Sequence, residues 1–101
     1  KRFGPSETEV TFEDLSRRWK ADTRALSSYS KIFMHEAYQQ IIGLGPVVLP
    51  LILRKLQAEG GHWFWALRSI SRENPVPDGH QGKTQLMRED WVRWGQERGI
   101  I

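Results

Sequence analysis

The chain contains no cysteine. Thiol chemistry and a disulfide framework are thereby excluded, and the redox compartment cannot be read from cysteine usage. Long apolar runs are missing as well. The longest, residues 47–53, is interrupted by Pro50 and falls far short of the roughly 20 residues a helical bilayer span needs. No secretory or transit pattern opens the sequence, so a cytoplasmic protein with no membrane contact is expected. A phosphate-cradling loop is also lacking. Gly82-Lys83-Thr84 invites that reading, but Pro77 stands where the motif needs its first glycine, and no strand pattern precedes it. Thr84 reads instead as a helix N-cap, and no nucleotide or other cofactor is expected.

Histidine is scarce too: His35, His62 and His80. Glu59 and His62 have a three-residue spacing, but Gly60-Gly61 between them breaks the helix that would align two metal ligands. His35 and Glu36 are adjacent and so diverge on a helix. No serine or threonine has the histidine and acid partners that would make it a nucleophile. A metal site is not expected, and neither is a catalytic one; the chain reads as a non-enzyme.

What the chain does have is helical periodicity. At 101 residues and 39% apolar content it makes one domain that can bury a core without staples. Residues 1–10 include Gly4, Pro5 and Ser6, show no apolar period and read as a flexible tail. A single helical domain is expected over residues 11–101. Thr11, with Asp14 three residues on, reads as the N-cap of a first helix over 12–26 that carries Phe12, Leu15, Trp19 and Leu26 on one face. Residues 27–34 show no decisive period. Ala37, Tyr38, Ile41 and Ile42 predict a short helix over 36–43. Pro46 opens another over 47–58, with Pro50 expected to cost one backbone bond and kink it. Gly60-Gly61 stops it. A helix over 62–72 follows, then a proline- and glycine-rich loop. The last helix, 84–98, carries Met87, Trp91 and Trp94 and closes at Gly99 with Ile100 packing back. The expected fold is all-α, with about five helices and no strand.

The helix over 62–72 is central. Two of the five tryptophans lie in it. Trp63, Leu67 and Ile70 form one stripe at about 100° per residue, widened by Phe64 and Ala66, so neighbours are expected on more than one side. Trp65 breaks the pattern. It points away from Trp63, toward the side that carries Arg68 and Arg72. An aromatic ring beside two guanidinium groups suits either a protein-binding hot spot or a nucleic-acid base or backbone, unless the first or last helix covers the ring and makes it core. Trp65, Arg68 and Arg72 are the candidate partner-binding residues.

The run from Ile41 to Leu56 pairs a helix, a Leu44-Gly45 turn and a second helix with an early proline and a leucine ladder. It resembles a HEAT-type repeat, with residues 62–98 as a degenerate second pair. The run from Trp63 to Arg68 and the ending from Trp91 to Gly99 resemble a group of small bacterial proteins that brings no activity with it. The HEAT likeness implies stacked helical pairs, and such arrays bind other macromolecules.

Charge offers an alternative. The net charge is +3, but residues 16–35 alone carry Arg17, Arg18, Lys20, Arg24 and Lys31 against Asp22, a local +4. A nucleic-acid-binding regulator would use these five cations. The leading expectation is a small regulatory or adaptor protein, antitoxin-like in its concrete form, that binds a protein partner through a helical face.

Overall fold

A computed structural model describes residues 6–101. Six α-helices follow one another: α1 (Glu7–Thr23), α2 (Tyr29–Phe33), α3 (Glu36–Gly43), α4 (Leu49–Glu59), α5 (Phe64–Ser71) and α6 (Thr84–Glu97), with 3₁₀ turns at Gly45–Val48 and Asp78–His80. Among the described residues there is no strand, and the class is all-α as the periodicity indicates. The chain divides into two compact units, one up to Val48 and one from Leu49 onward.

In the first unit, α1 begins five residues before the expected start. Ser6, not Thr11, is its N-cap: the Ser6 hydroxyl accepts from the Glu9 N–H at 3.1 Å, and the Glu9 carboxylate accepts from the Ser6 N–H at 2.8 Å. This reciprocal box satisfies two donors that a helix start otherwise leaves open. The first turn, Glu7–Val10, therefore forms without an apolar period, and its two acids face the positive end of the dipole. Of the expected tail, only residues 1–5 lie outside the described residues. Phe12, Leu15, Trp19 and Thr23 form the buried stripe. α1 stops at Thr23, short of the expected Leu26, with the Thr23 hydroxyl donating to the Trp19 carbonyl at 2.7 Å.

α1 packs on α3, whose Ala37, Tyr38 and Ile41 are buried. The Trp19 and Tyr38 rings meet at 4.8 Å, tilted by 52°. The stretch without a clear period contains α2, too short for one, and the Trp19 indole N–H fixes it by donating to the Ile32 carbonyl at 2.9 Å.

In the second unit, α4 packs on both α5 and α6. Gly45 turns left-handed (φ 82°), Pro46 enters a 3₁₀ turn, and α4 starts at Leu49 rather than 47. Pro50 is thus the second residue of the helix. It lacks a donor that a first turn leaves unpaired anyway, so the expected loss of a bond does not occur. Leu49, Ile52, Leu53 and Leu56 are buried. Gly60 and Gly61 stop α4 at φ 75° and 107°.

α5 is shorter than 62–72. Trp63 is its N-cap residue, and Trp63, Ala66 and Leu67 are fully buried. Ile70, expected in the same stripe, is only half-buried, because it lies in the last turn. The loop that follows is ordered by specific contacts. The Asn74 side chain accepts from the Val76 N–H at 3.2 Å, Val76 is buried, and Gln81 donates to the Val76 carbonyl at 3.3 Å.

α6 includes Thr84 as its first residue, so Lys83 occupies the N-cap and makes no side-chain cap. Trp91 and Trp94 are buried and meet edge-to-face at 5.1 Å. Ile100 N–H donates to Gly95 carbonyl at 2.8 Å and Gly99 N–H to Gln96 carbonyl at 3.1 Å, the paired bonds of a Schellman ending. Gly95, inside α6, packs against Leu53 of α4 and Ile101. A Cβ there would sit 2.6 Å from Leu53 Cδ1 and 3.2 Å from Ile101 Cγ1. Gly95→Ala gains about 1 kcal/mol of helix propensity but overpacks a buried site, at a cost of about 1–3 kcal/mol. A net loss of up to about 2 kcal/mol is expected in denaturant melts. A variant more stable than the wild type would show that Leu53 has room to turn aside.

Candidate functional site

α5 ends in an unusual way. Arg72, its C-cap residue, adopts φ 62° and ψ 22°, the one left-handed non-glycine backbone among the described residues. Its N–H still donates to the Arg68 carbonyl at 2.8 Å, and the next N–H, of Glu73, is taken by the Ser71 hydroxyl at 3.1 Å. Glycine ordinarily fills such a position because a Cβ costs about 1 kcal/mol there. The turn swings the chain from α5 into residues 73–76 and opens a surface groove of about 280 Å³, lined by Trp65, Arg68, Ser69, Arg72, Glu73 and Asn74.

All three residues singled out from the helical wheel lie in this groove. Trp65 is 48% exposed although the three tryptophans nearest it in sequence, Trp63, Trp91 and Trp94, are buried. Arg68 and Arg72 are exposed. Among the described residues neither guanidinium has an ion pair or hydrogen bond. The carboxylate of Glu73 does not compensate them. It accepts from the Trp94 indole N–H at 3.1 Å and from the Arg98 guanidinium, which also lies over the Trp94 ring at 5.1 Å. The groove therefore has an aromatic wall, two cations with no ion pair among the described residues and one carboxylate already committed elsewhere.

Ser69, Glu73 and Asn74 were not legible as groove residues. Asn74-Pro75 marks a turn, but only the left-handed Arg72 brings that turn back beside Trp65. Arg72→Gly tests the backbone cost of this position. Stability is expected to rise by about 1 kcal/mol as the backbone cost disappears, less the entropy that glycine adds to the unfolded chain. A variant less stable than the wild type would show that the Arg72 side chain helps hold the fold.

The five cations of the alternative reading are placed differently. Arg17 pairs with Asp14 at 2.6 Å and Arg18 with Glu36 at 3.8 Å. Lys20 is half-buried, while Arg24 and Lys31 are exposed and have no ion pair among the described residues. They do not form one continuous basic face, since Glu13 and Asp14 share the outer side of α1 with Arg17.

Two histidine–acid contacts are beyond sequence reasoning because they join distant positions. The His35 ring accepts from the Ala37 N–H through Nδ1 at 3.0 Å and donates from Nε2 to Asp22 at 2.9 Å, so both nitrogens are used at the start of α3. His80 Nδ1 lies 2.7 Å from the buried carboxylate of Asp90, which Arg93 also approaches at 3.5 Å. This pair ties the loop after α5 to α6. No hydroxyl group is hydrogen-bonded to His80 among the described residues. No three His, Asp or Glu side chains among them gather to hold a metal ion.

A second groove, of about 370 Å³, lies between α4 and α6 and is lined by Gln57, Arg88, Val92, Arg93 and Gln96, among others. Its Arg88 is held by the Gln57 carbonyl. It offers no exposed aromatic anchor. Comparison of the chain with protein-family models, with curated proteins and with solved structures finds no match.

Proposed function

We propose that the chain is a non-enzymatic helical interaction module, a small regulatory or adaptor protein that binds a protein partner through Trp65, Arg68 and Arg72. An antitoxin-like inhibitor is one concrete form. The observation that carries this reading is the groove beside α5, where a half-exposed indole stands next to two guanidinium groups that have no ion pair among the described residues. Tryptophan and arginine are the residues most enriched at binding hot spots. The indole offers much contact area for few rotatable bonds, and arginine pairs well with carboxylates once water is excluded. The likeness of residues 41–56 to a HEAT-type pair supports a binding role on the same lines. It stays a likeness of sequence, since its two helices belong to different compact units.

The partner is read as acidic at the contact. Arg68 and Arg72 attract carboxylates, and the net charge of +3 favours encounter with a negative surface. The test is affinity capture from source cells with the wild-type chain and with Arg68→Glu/Arg72→Glu, both confirmed as folded by circular dichroism. One protein retained by the wild type and lost on charge reversal is the expected result. Retention of the same proteins by both chains would refute the assignment. Retention of nucleic acid instead, with steep loss on adding salt, would favour the basic residues of the first unit.

A further inference from the structure

The first unit carries a second exposed feature, independent of the groove. Residues 23–34 contain Arg24 and Lys31 and no carboxylate. The acids that flank this stretch are engaged: Asp22 with His35 at 2.9 Å, and Glu36 with Gln40 at 2.8 Å and Arg18 at 3.8 Å. Arg24 and Lys31 have no ion pair among the described residues. Around them, Leu26, Tyr29 and Met34 are 39%, 64% and 66% exposed.

These side chains do not protrude because the segment is loose. The Trp19 indole holds the Ile32 carbonyl at 2.9 Å, and the Gln39 amide donates to the Phe33 carbonyl at 2.7 Å. The Tyr29 ring stacks parallel on Phe33 at 6.0 Å, and Phe33 in turn meets Tyr38 at 5.5 Å. The backbone of α2 is pinned to the core of its unit, with Ile32 buried beneath it, while Tyr29 and the C-cap residue Met34 stay exposed.

We infer that residues 23–34 form a peripheral docking surface for an anionic lipid bilayer. A protein partner would need a separate, shaped pocket for an isobutyl group, a phenol and a thioether. The boundary between headgroups and acyl chains accepts all three without shape matching, and a tyrosine ring suits the headgroup level. Arg24 and Lys31 meet the negative headgroups. A nucleic acid would use the two cations but leave Leu26 and Met34 in water. The contact is peripheral: among the described residues no single helix is long and apolar enough to cross a membrane. The expectation of no membrane contact rests on that missing span, which concerns crossing a bilayer and not resting on one. With few inserting side chains and no lipid anchor, binding is weak, reversible and sensitive to salt.

The test is flotation of the full chain with phosphatidylcholine vesicles and with vesicles that also contain phosphatidylserine, at low and high salt. Binding is expected only to the serine-containing vesicles, weakening as salt rises. Arg24→Gln/Lys31→Gln is expected to lower the partition coefficient about 30-fold, near fivefold for each cation. Tyr29→Ser/Met34→Ser, at exposed positions and checked by circular dichroism, is expected to lower it at least about tenfold. Trp65→Ala should leave vesicle binding unchanged, which keeps this surface distinct from the groove. Absence of binding, or equal binding to both vesicle types, overturns the inference. So does an unaffected Tyr29→Ser/Met34→Ser variant.

Discussion

Replacing Trp63 by alanine is expected to destabilise the protein by about 3–5 kcal/mol, the range for removing a buried tryptophan from a core that relaxes only in part. Trp63 is fully buried at the N-cap of α5, and its carbonyl accepts the Leu67 N–H at 3.0 Å. The backbone bond survives the substitution, so the loss comes from the side chain. An indole of this kind removes about 150–250 Å² from water, and Gly60 and Gly61 precede it in left-handed conformations that set its entry. Gly61 is close enough that a Cβ would sit 3.4 Å from the indole nitrogen. Guanidinium melts of the variant and the wild type measure the difference. A loss under about 1 kcal/mol would mean that the surroundings fill the site or that the ring lies nearer water.

The same helix shows what a sequence can and cannot convey. Trp63 and Leu67 were legible as core, and Trp65 as an outlier, because one face of a helix fills at fixed spacing and a large ring on the other face needs a separate reason. Ile70 fits the stripe equally well on paper. It is half-buried because α5 ends one residue later, and that ending was hidden: no glycine stands where the left-handed residue falls, and Arg72 takes the role instead. The groove inherits the same blindness, since Ser69, Glu73 and Asn74 join Trp65 only through that turn. At the other end of the chain, the capping box of Ser6 and Glu9 has a recognisable pattern. It was obscured by Gly4 and Pro5 beside it and by the lack of an apolar period over residues 1–10. α2 was illegible for a different reason. Five residues complete little more than one turn, so a period cannot repeat, and its position depends on Trp19 bonding a carbonyl 13 residues away. Charge pairing divides in the same way. Arg17 with Asp14 is a neighbour on one helix face, whereas Arg18 with Glu36 requires the fold.

Trp65→Ala is expected to weaken partner binding by at least about 2 kcal/mol, roughly 30-fold, while the isolated protein remains folded. The two halves of this expectation have separate physical grounds. On the side of stability, the ring is 48% exposed, and the buried stripe of α5 is already occupied by Trp63, Ala66 and Leu67. Truncation thus removes part of an area that the fold buries only in part, and the stability loss should stay below about 1.5 kcal/mol, under half that of Trp63→Ala. On the side of binding, the indole is the one large apolar group of a groove whose other walls are Arg68, Arg72 and polar side chains. Covering it excludes water from around two guanidinium groups. Their bonds to partner carboxylates strengthen as the local dielectric falls, so loss of the ring weakens the ionic contacts with it. A double-mutant cycle with Arg68→Ala should therefore show coupling, with the pair losing less than the sum of the single losses. The measurement is titration of the captured partner against the four proteins, with melts of each alongside. Equal affinity of the wild type and Trp65→Ala would remove the anchor from the groove. A stability loss as large as that of Trp63→Ala would instead make Trp65 a core residue.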